Sequence, residues 1–322
     1  MSTKTAIEWT EATWNPVTGC TKVSQGCKHC YAERDWSRLS RIGGNVYTGR
    51  SFGDVMCHPE RLGTPLRWKK SRRIFVNSMS DLFHEAIPDD FIVNVFDAMA
   101  LAARHTFQVL TKRPERMIKL MPRLAERYTC RDGSGWPLTN VWLGVSVEDQ
   151  ETADARLPLL LQTPAAVRWV SAEPLLSEVD LRAIDLGELY WLDAFTGQVH
   201  IAHDGGMPAA KDYRPLDWVV VGGESGPKAR PTHPEWVRFL RDQCQAVGTP
   251  FFFKQWGEWA PGQKYASAEW DGGAYVEAPG GQTAITRAHD FGPDQRWAAV
   301  RVGKKAAGCI LDGRTWQEYP QP

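Results

Sequence analysis

Apolar residues in this chain come in short blocks separated by longer stretches with helical periodicity. RIFVNSMS from Arg73, TFQVLTKR from Thr106, VWLGVSVED from Val141 and VRWVSAEP from Val167 are four such blocks. DWVVVGGESG from Asp217 and PFFFKQWGE from Pro250 are two more. Each is rich in β-branched and aromatic residues, the pattern of strands buried on both faces. Between them, the run beginning at Pro88 opens with two acids and sets Phe91, Val95, Ala98 and Ala102 on one helical face. PERMIKLMPRLAER and DQETADARLPLLLQ predict two further helices, each expected to be shortened or kinked by its internal proline. HPEWVRFLRDQCQAVG aligns Trp236, Leu240 and Cys244 and stops at Gly248, so Cys244 reads as a core residue.

Adding the segment 12–18 makes seven strands. Strands alternating with helices across connections of this length predict an α/β protein with a parallel sheet. Seven successive units, with no G-x-G-x-x-G after the first strand, favour a parallel (β/α) barrel, partial or near-complete, over a dinucleotide-binding sheet. Two segments break the rhythm. Residues 187–213 alternate around a Thr-Gly turn and predict an inserted β-hairpin. Residues 257–322 lose the alternation and predict a β-rich C-terminal extension packed on a barrel of residues 1–256.

Composition adds a charge asymmetry. The 322 residues carry no net charge, yet Met1 to Cys130 holds 20 Lys and Arg against 13 Asp and Glu, and the remainder 18 against 25. A basic front half suits an anionic ligand such as a nucleotide or nucleic acid; opposite charges pairing within the fold would account for it equally. The seven cysteines lack the spacing of a disulfide framework, and neither an apolar leader nor a membrane-length apolar run is present. A cytoplasmic protein, not inserted in a membrane, is the expectation. Most of the fifteen tryptophans are expected in the core.

The densest chemistry lies in GCTKVSQGCKHCY, where Cys20, Cys27 and Cys30 form C-x6-C-x2-C directly after the first strand. Three soft thiolates close in sequence can bind three corners of a [4Fe–4S] cluster and leave the fourth iron for an outside ligand. Gly19 and Gly26 each precede a cysteine and let the backbone wrap closely. Two readings compete: a zinc site completed by His29, Cys57 or His58, and unliganded thiols. Cys130 and Cys309 stand alone without an assigned role.

The opening IEWTEATWNPVTGC with the cysteine motif, followed by NSMSDLFH, LTKRPER, GVSVE, SAEPLL, GGESG, FFFKQWGEW and LDGRTW, resembles the phage-associated Gp37/Gp68 three-cysteine-motif family. That family is similar to radical S-adenosylmethionine (SAM) proteins, although the first gap here is longer than their usual C-x3-C-x2-C. The resemblance implies a radical-SAM-like TIM barrel, and an iron–sulfur enzyme that reductively cleaves SAM to a 5′-deoxyadenosyl radical. It also implies an electron donor such as flavodoxin or ferredoxin. The substrate is unidentified, a nucleic acid or nucleotide for modification or repair being one candidate.

Polar residues bunch after the strands, where barrel active sites lie. By analogy with radical-SAM sites, Asn77, Ser78, Ser80 and Asp81 would hold the methionyl amine of SAM, and Lys112 or Arg113 its carboxylate. Ser146 and Glu148 would take the ribose hydroxyls, and Glu173 and Glu224 would contact adenosine or substrate. Each of these residues would serve equally as a helix cap or ion-pair partner. Two other functions fit the same residues: a barrel glycoside hydrolase using strand-end carboxylates, and a zinc-stabilised nucleic-acid-binding protein without catalysis.

Overall fold

Seven strands form one sheet: β1 (Ala12–Trp14), β2 (Arg73–Val76), β3 (Thr106–Thr111), β4 (Val141–Ser146), β5 (Val167–Ala172), β6 (Trp218–Gly222) and β7 (Phe251–Gln255). They lie side by side in chain order, and the pairings of β1 with β2, β2 with β3, β3 with β4 and β6 with β7 are parallel. Among the described residues no pairing joins β1 to β7. The computed structural model describes residues 5–131, 133–201, 212–265, 275–278, 281–287 and 296–321.

The strands are as apolar as their sequences require. All six residues of β4 and all five of β6 are buried. Gly144 in β4 leaves room for an indole, since a Cβ there would stand 2.6 Å from the ring of Trp169. Trp169 in turn meets Trp9 edge-on at 5.0 Å. Among the described residues ten tryptophans are buried, so they are core before anything else.

The helices are α1 (Tyr31–Leu39), α2 (Asp89–Leu101), α3 (Pro114–Tyr128), α4 (Gln150–Gln162) and α5 (Pro234–Val247). Pro122 and Pro158 do not shorten α3 and α4. Pro122 is exposed while Met121 and Leu124 beside it are buried. Water can therefore satisfy the carbonyl that the proline frees, and the apolar face carries the helix through. α5 ends at Gly248 in the left-handed conformation, φ 74°, with Cys244 fully buried and its thiol pushed up by burial.

The chain divides into two compact units. The first comprises Met1–Ser146, Arg156–Val170 and Gly206–Leu216; the second comprises Val147–Ala155, Ser171–Gly205 and Asp217–Pro322. In the first, the strand expected over 12–18 is shorter. Asn15 and Pro16 interrupt it, and Val17–Thr18 pairs instead, antiparallel, with Met56–Cys57. Proline has no N–H for a ladder, which ends β1 there.

In the second unit, Tyr190–Asp193 and Gln198–Ile201 form the expected hairpin around Thr196 and Gly197, and Ile184–Asp185 adds a third strand. The remainder of that expected segment, 202–211, lies outside the described residues. Trp259–Tyr265, Arg296–Arg301, Gly281–Arg287 and Tyr275–Ala278 make a four-stranded sheet in that order, with antiparallel pairings. Residues 316–318 then run antiparallel to β7, with Phe253 N–H donating to Trp316 O at 2.8 Å and Glu318 N–H to Phe251 O at 3.2 Å. No helix among the described residues is long and apolar enough to cross a membrane.

Candidate functional site

The cysteine loop leaves the carboxyl end of β1 and is built against the segment that follows β2. Asn15 Oδ1 accepts from Met79 N–H at 3.0 Å and from Ser78 Oγ at 3.2 Å. Ser80 Oγ donates to Val17 O at 2.9 Å, and Gly19 N–H donates to Met79 O at 3.1 Å. Tyr31 Oη donates to Ser78 O at 2.6 Å and anchors the far end of the loop. Gly19 has φ 94°, and a Cβ there would drive into the Asp54 carbonyl. Asn77 adopts the left-handed conformation with φ 63°, and its Oδ1 accepts from Val17 N–H at 3.3 Å.

Asn77 is 2% exposed, and its Nδ2 has no acceptor among the described residues. That is a buried donor beside the loop. α1 follows at once. Its Ala32 and Trp36 pack on Met79, with Cys30, Leu39, Tyr47 and Phe52 around them.

From the carboxyl end of β3, Arg113 reaches into the loop. Nε donates to Glu85 Oε2 at 3.1 Å. Nη1 donates to Asp81 Oδ2 at 3.3 Å and to Cys20 Sγ at 3.7 Å. Nη2 donates to the carbonyl and hydroxyl oxygens of Thr21 at 3.1 and 2.9 Å. All five N–H groups of the guanidinium are therefore engaged. Asp81, 6% exposed, also accepts from Thr111 Oγ1 at 2.8 Å, Lys112 N–H at 3.0 Å and Phe83 N–H at 2.9 Å.

His84 completes the group. Its Nδ1 accepts from Ala86 N–H at 3.1 Å, and burial, then the charge of Arg113, hold its pKa below the ordinary histidine value. The neutral ring consequently carries its proton on Nε2 and donates it to Thr21 Oγ1 at 2.9 Å.

The thiols respond to these surroundings. Cys20 is pushed up to about 12 by burial and then by Asp81, with Arg113 opposing. Burial likewise raises Cys30, against the backbone N–H groups of Glu33 and Ala32 at the start of α1 and the charge of Lys112. Cys27 is close enough to act on both. Lys22, paired with Glu33 at 2.8 Å, feels Cys27 and Cys30.

Among the described residues, no three His, Cys, Asp or Glu side chains lie close enough together, as they stand, to hold a metal ion. The donor set nevertheless suits a thiolate-bound cluster: three thiols on one loop, with Arg113, Lys112 and Lys22 as cations acting on them. Of the fourth ligands weighed for zinc, His58 is occupied, its Nε2 against Thr18 Oγ1 at 2.8 Å and its Nδ1 near Glu60 at 3.5 Å.

The structure thus brings Asn77, Ser78, Ser80, Asp81, Lys112 and Arg113 together with Cys20 and Cys30. Thr21, His84 and Glu85 join them without having been singled out from sequence. Ser146 ends β4, 5% exposed, with its carbonyl accepting from Arg156 Nη1 at 2.7 Å.

The remaining strand-end acids belong to the second unit. Glu148 is fully buried, and its N–H donates to Thr152 Oγ1 at 2.9 Å. Both oxygens of Glu173 accept from Lys254 Nζ, at 2.7 and 2.8 Å, and Gln255 Nε2 adds a bond at 3.3 Å. Glu224, 5% exposed, accepts from Arg230 at both oxygens, at 2.6 to 2.8 Å.

The family is decided by a match that takes in both units, from residue 4 to residue 320. The chain belongs to the family described as "Protein of unknown function (DUF5131)". No curated protein and no solved structure matches it. The cysteine loop, β2, β3 and every strand-end acid of this DUF5131 protein fall inside the matched span.

Proposed function

We propose that this protein is a radical SAM enzyme acting on an unidentified substrate, with a nucleic acid or nucleotide as one candidate, and that its sheet serves as a partial (β/α) barrel. One observation carries the reading: three thiols share the loop after β1, and from the end of β3 Arg113 reaches Cys20 while the charge of Lys112 acts on Cys30. Cys20, Cys27 and Cys30 would hold a [4Fe–4S] cluster. When bound, such a cluster supplies one electron to SAM and yields methionine and a 5′-deoxyadenosyl radical.

The chain's own part is to bind and orient. Asn77, Ser78 and Ser80 fix the cysteine loop to the end of β2, and the buried Nδ2 of Asn77 offers a donor to a bound group. Arg113 has no N–H to spare for a SAM carboxylate, so that pairing falls to Lys112, whose charge already acts beside Cys30. Ser146, at the end of β4 in the unit that carries the cysteine loop, remains a candidate for the nucleoside. The glycosidase alternative draws no support from Glu173 and Glu224, each of which is ion-paired.

Anaerobic reconstitution with iron and sulfide, followed by SAM and dithionite, tests the reading. The expected result is an electron paramagnetic resonance signal that changes with SAM, and release of 5′-deoxyadenosine. Both should vanish when Cys20, Cys27 and Cys30 are replaced by serine. One tightly bound zinc per chain, with no iron uptake, would overturn it in favour of the zinc-stabilised alternative.

A further inference from the structure

The positive surplus of the front half is concentrated in one stretch. Between Glu60 and Asp81 there is no acidic residue, while Arg61, Arg67, Lys69, Lys70, Arg72 and Arg73 all fall there. Glu60 and Glu11 engage Arg61 and Arg73. Arg67, Lys69, Lys70 and Arg72 have no carboxylate partner among the described residues, and the first three are exposed.

The fold adds a fifth cation. Ser71 Oγ donates to Arg104 O at 2.7 Å, and Thr106 N–H donates to Arg72 O at 2.9 Å, which sets exposed Arg104 beside the stretch. Arg104 and Arg72 both help depress the pKa of His105, after the larger effect of burial, as their closeness requires. Trp68 lies within the group, half-buried, with the Arg72 guanidinium 5.3 Å from its ring centre. Five like charges gathered without counter-charge repel one another, and a polyanion relieves that repulsion.

We propose that Arg67, Lys69, Lys70, Arg72 and Arg104, with Trp68 among them, form a docking surface for the phosphodiester backbone of a nucleic acid. Repeated phosphates match a spread of cations, and an indole among guanidinium groups suits a base or sugar edge. An anionic lipid surface fits less well, because such a face needs apolar groups to insert and Leu66 is the large apolar side chain exposed along the stretch.

The location defines the role. The stretch precedes β2 and β3, whereas the cysteine loop follows β1, and these strands are parallel. The cations therefore stand at the opposite end of the strands from the thiols. This surface tethers a polymer and does not present it for reaction, and it stands independently of the radical SAM reading.

Fluorescence anisotropy with a fluorescein-labelled DNA oligonucleotide of mixed sequence, titrated with the full chain from about 50 to about 200 mM salt, tests the proposal. Binding is expected to weaken steeply with salt. Lys69→Glu with Lys70→Glu should weaken it at least ~10-fold, and flatten the salt slope by about 0.9 for each phosphate no longer neutralised. Arg67→Ala with Arg104→Ala should act in the same direction, and circular dichroism should match wild type in both variants. The Cys20, Cys27 and Cys30 serine variant should bind as wild type does, so a failed cluster leaves this result intact. No binding at about 50 mM salt, unchanged affinity in both charge variants, or binding only to phosphatidylserine vesicles would overturn the proposal.

Discussion

Arg113 joins two stretches that are far apart in sequence, Cys20 with Thr21 and Asp81 with Glu85. Its side chain and that of Asp81 are 10% and 8% exposed, so removing the guanidinium strands a buried carboxylate. Arg113→Met is expected to cost about 3 kcal/mol in urea unfolding. Arg113→Lys should cost less, because it keeps the charge and loses the fork. Iron retained per chain after reconstitution should fall in both, since each variant frees Thr21 from its clamp. This site was half legible in sequence. Cysteine spacing and strand-end polarity can be read along the chain, and they led to Cys20, Asp81 and Arg113. The contact of Thr21 with His84 spans 63 positions and has no local signature, because only the parallel register of β1 and β2 brings the two together.

At the scale of elements, blocks such as Phe251 to Phe253 were legible because a strand buried on both faces needs nothing but apolar residues. The end of β1 was less so. The turn of Val17 and Thr18 toward Met56 and Cys57 depends on a distant partner. α5 shows how an element is tied to its surroundings. Asp312 accepts from Arg238 Nη2 at 2.8 Å and also from Arg241, and Arg238 first, then Arg241, holds its carboxyl below the usual value. A depressed carboxyl stabilises the fold above the unfolded-state pKa, near 4, and loses that contribution as pH falls through the folded value. Asp312→Asn should therefore lower stability by about 1 kcal/mol at neutral pH, allowing for its partial exposure. The gap from wild type should close below about pH 4 in urea titrations run across pH. At the edge of β7, deletion from Arg314 onward removes the pairing of 316–318 and bares a ladder of apolar strand. Light scattering of the truncated chain should show association where the full chain shows none.

For the whole molecule, zero net charge conceals a separation of signs. The acid-free stretch between Glu60 and Asp81 accounts for most of the surplus in the first 130 residues. Composition alone revealed the imbalance; only the pairing of β2 with β3, which sets Arg104 beside Arg72, revealed that it forms a surface. A cation exchanger at neutral pH is expected to retain the protein despite its neutrality. Lys69→Glu with Lys70→Glu should release it at lower salt.

The strip at 316–318 that lines the edge of β7 carries one more implication, for synthesis. A ribosome delivers β7 long before Trp316 emerges from the exit tunnel, so the nascent chain must carry an open, phenylalanine-rich margin through the intervening stretch. Growing chains of this protein are then most in need of a chaperone during that interval, and a stalled translation product ending within it is the species most prone to aggregate.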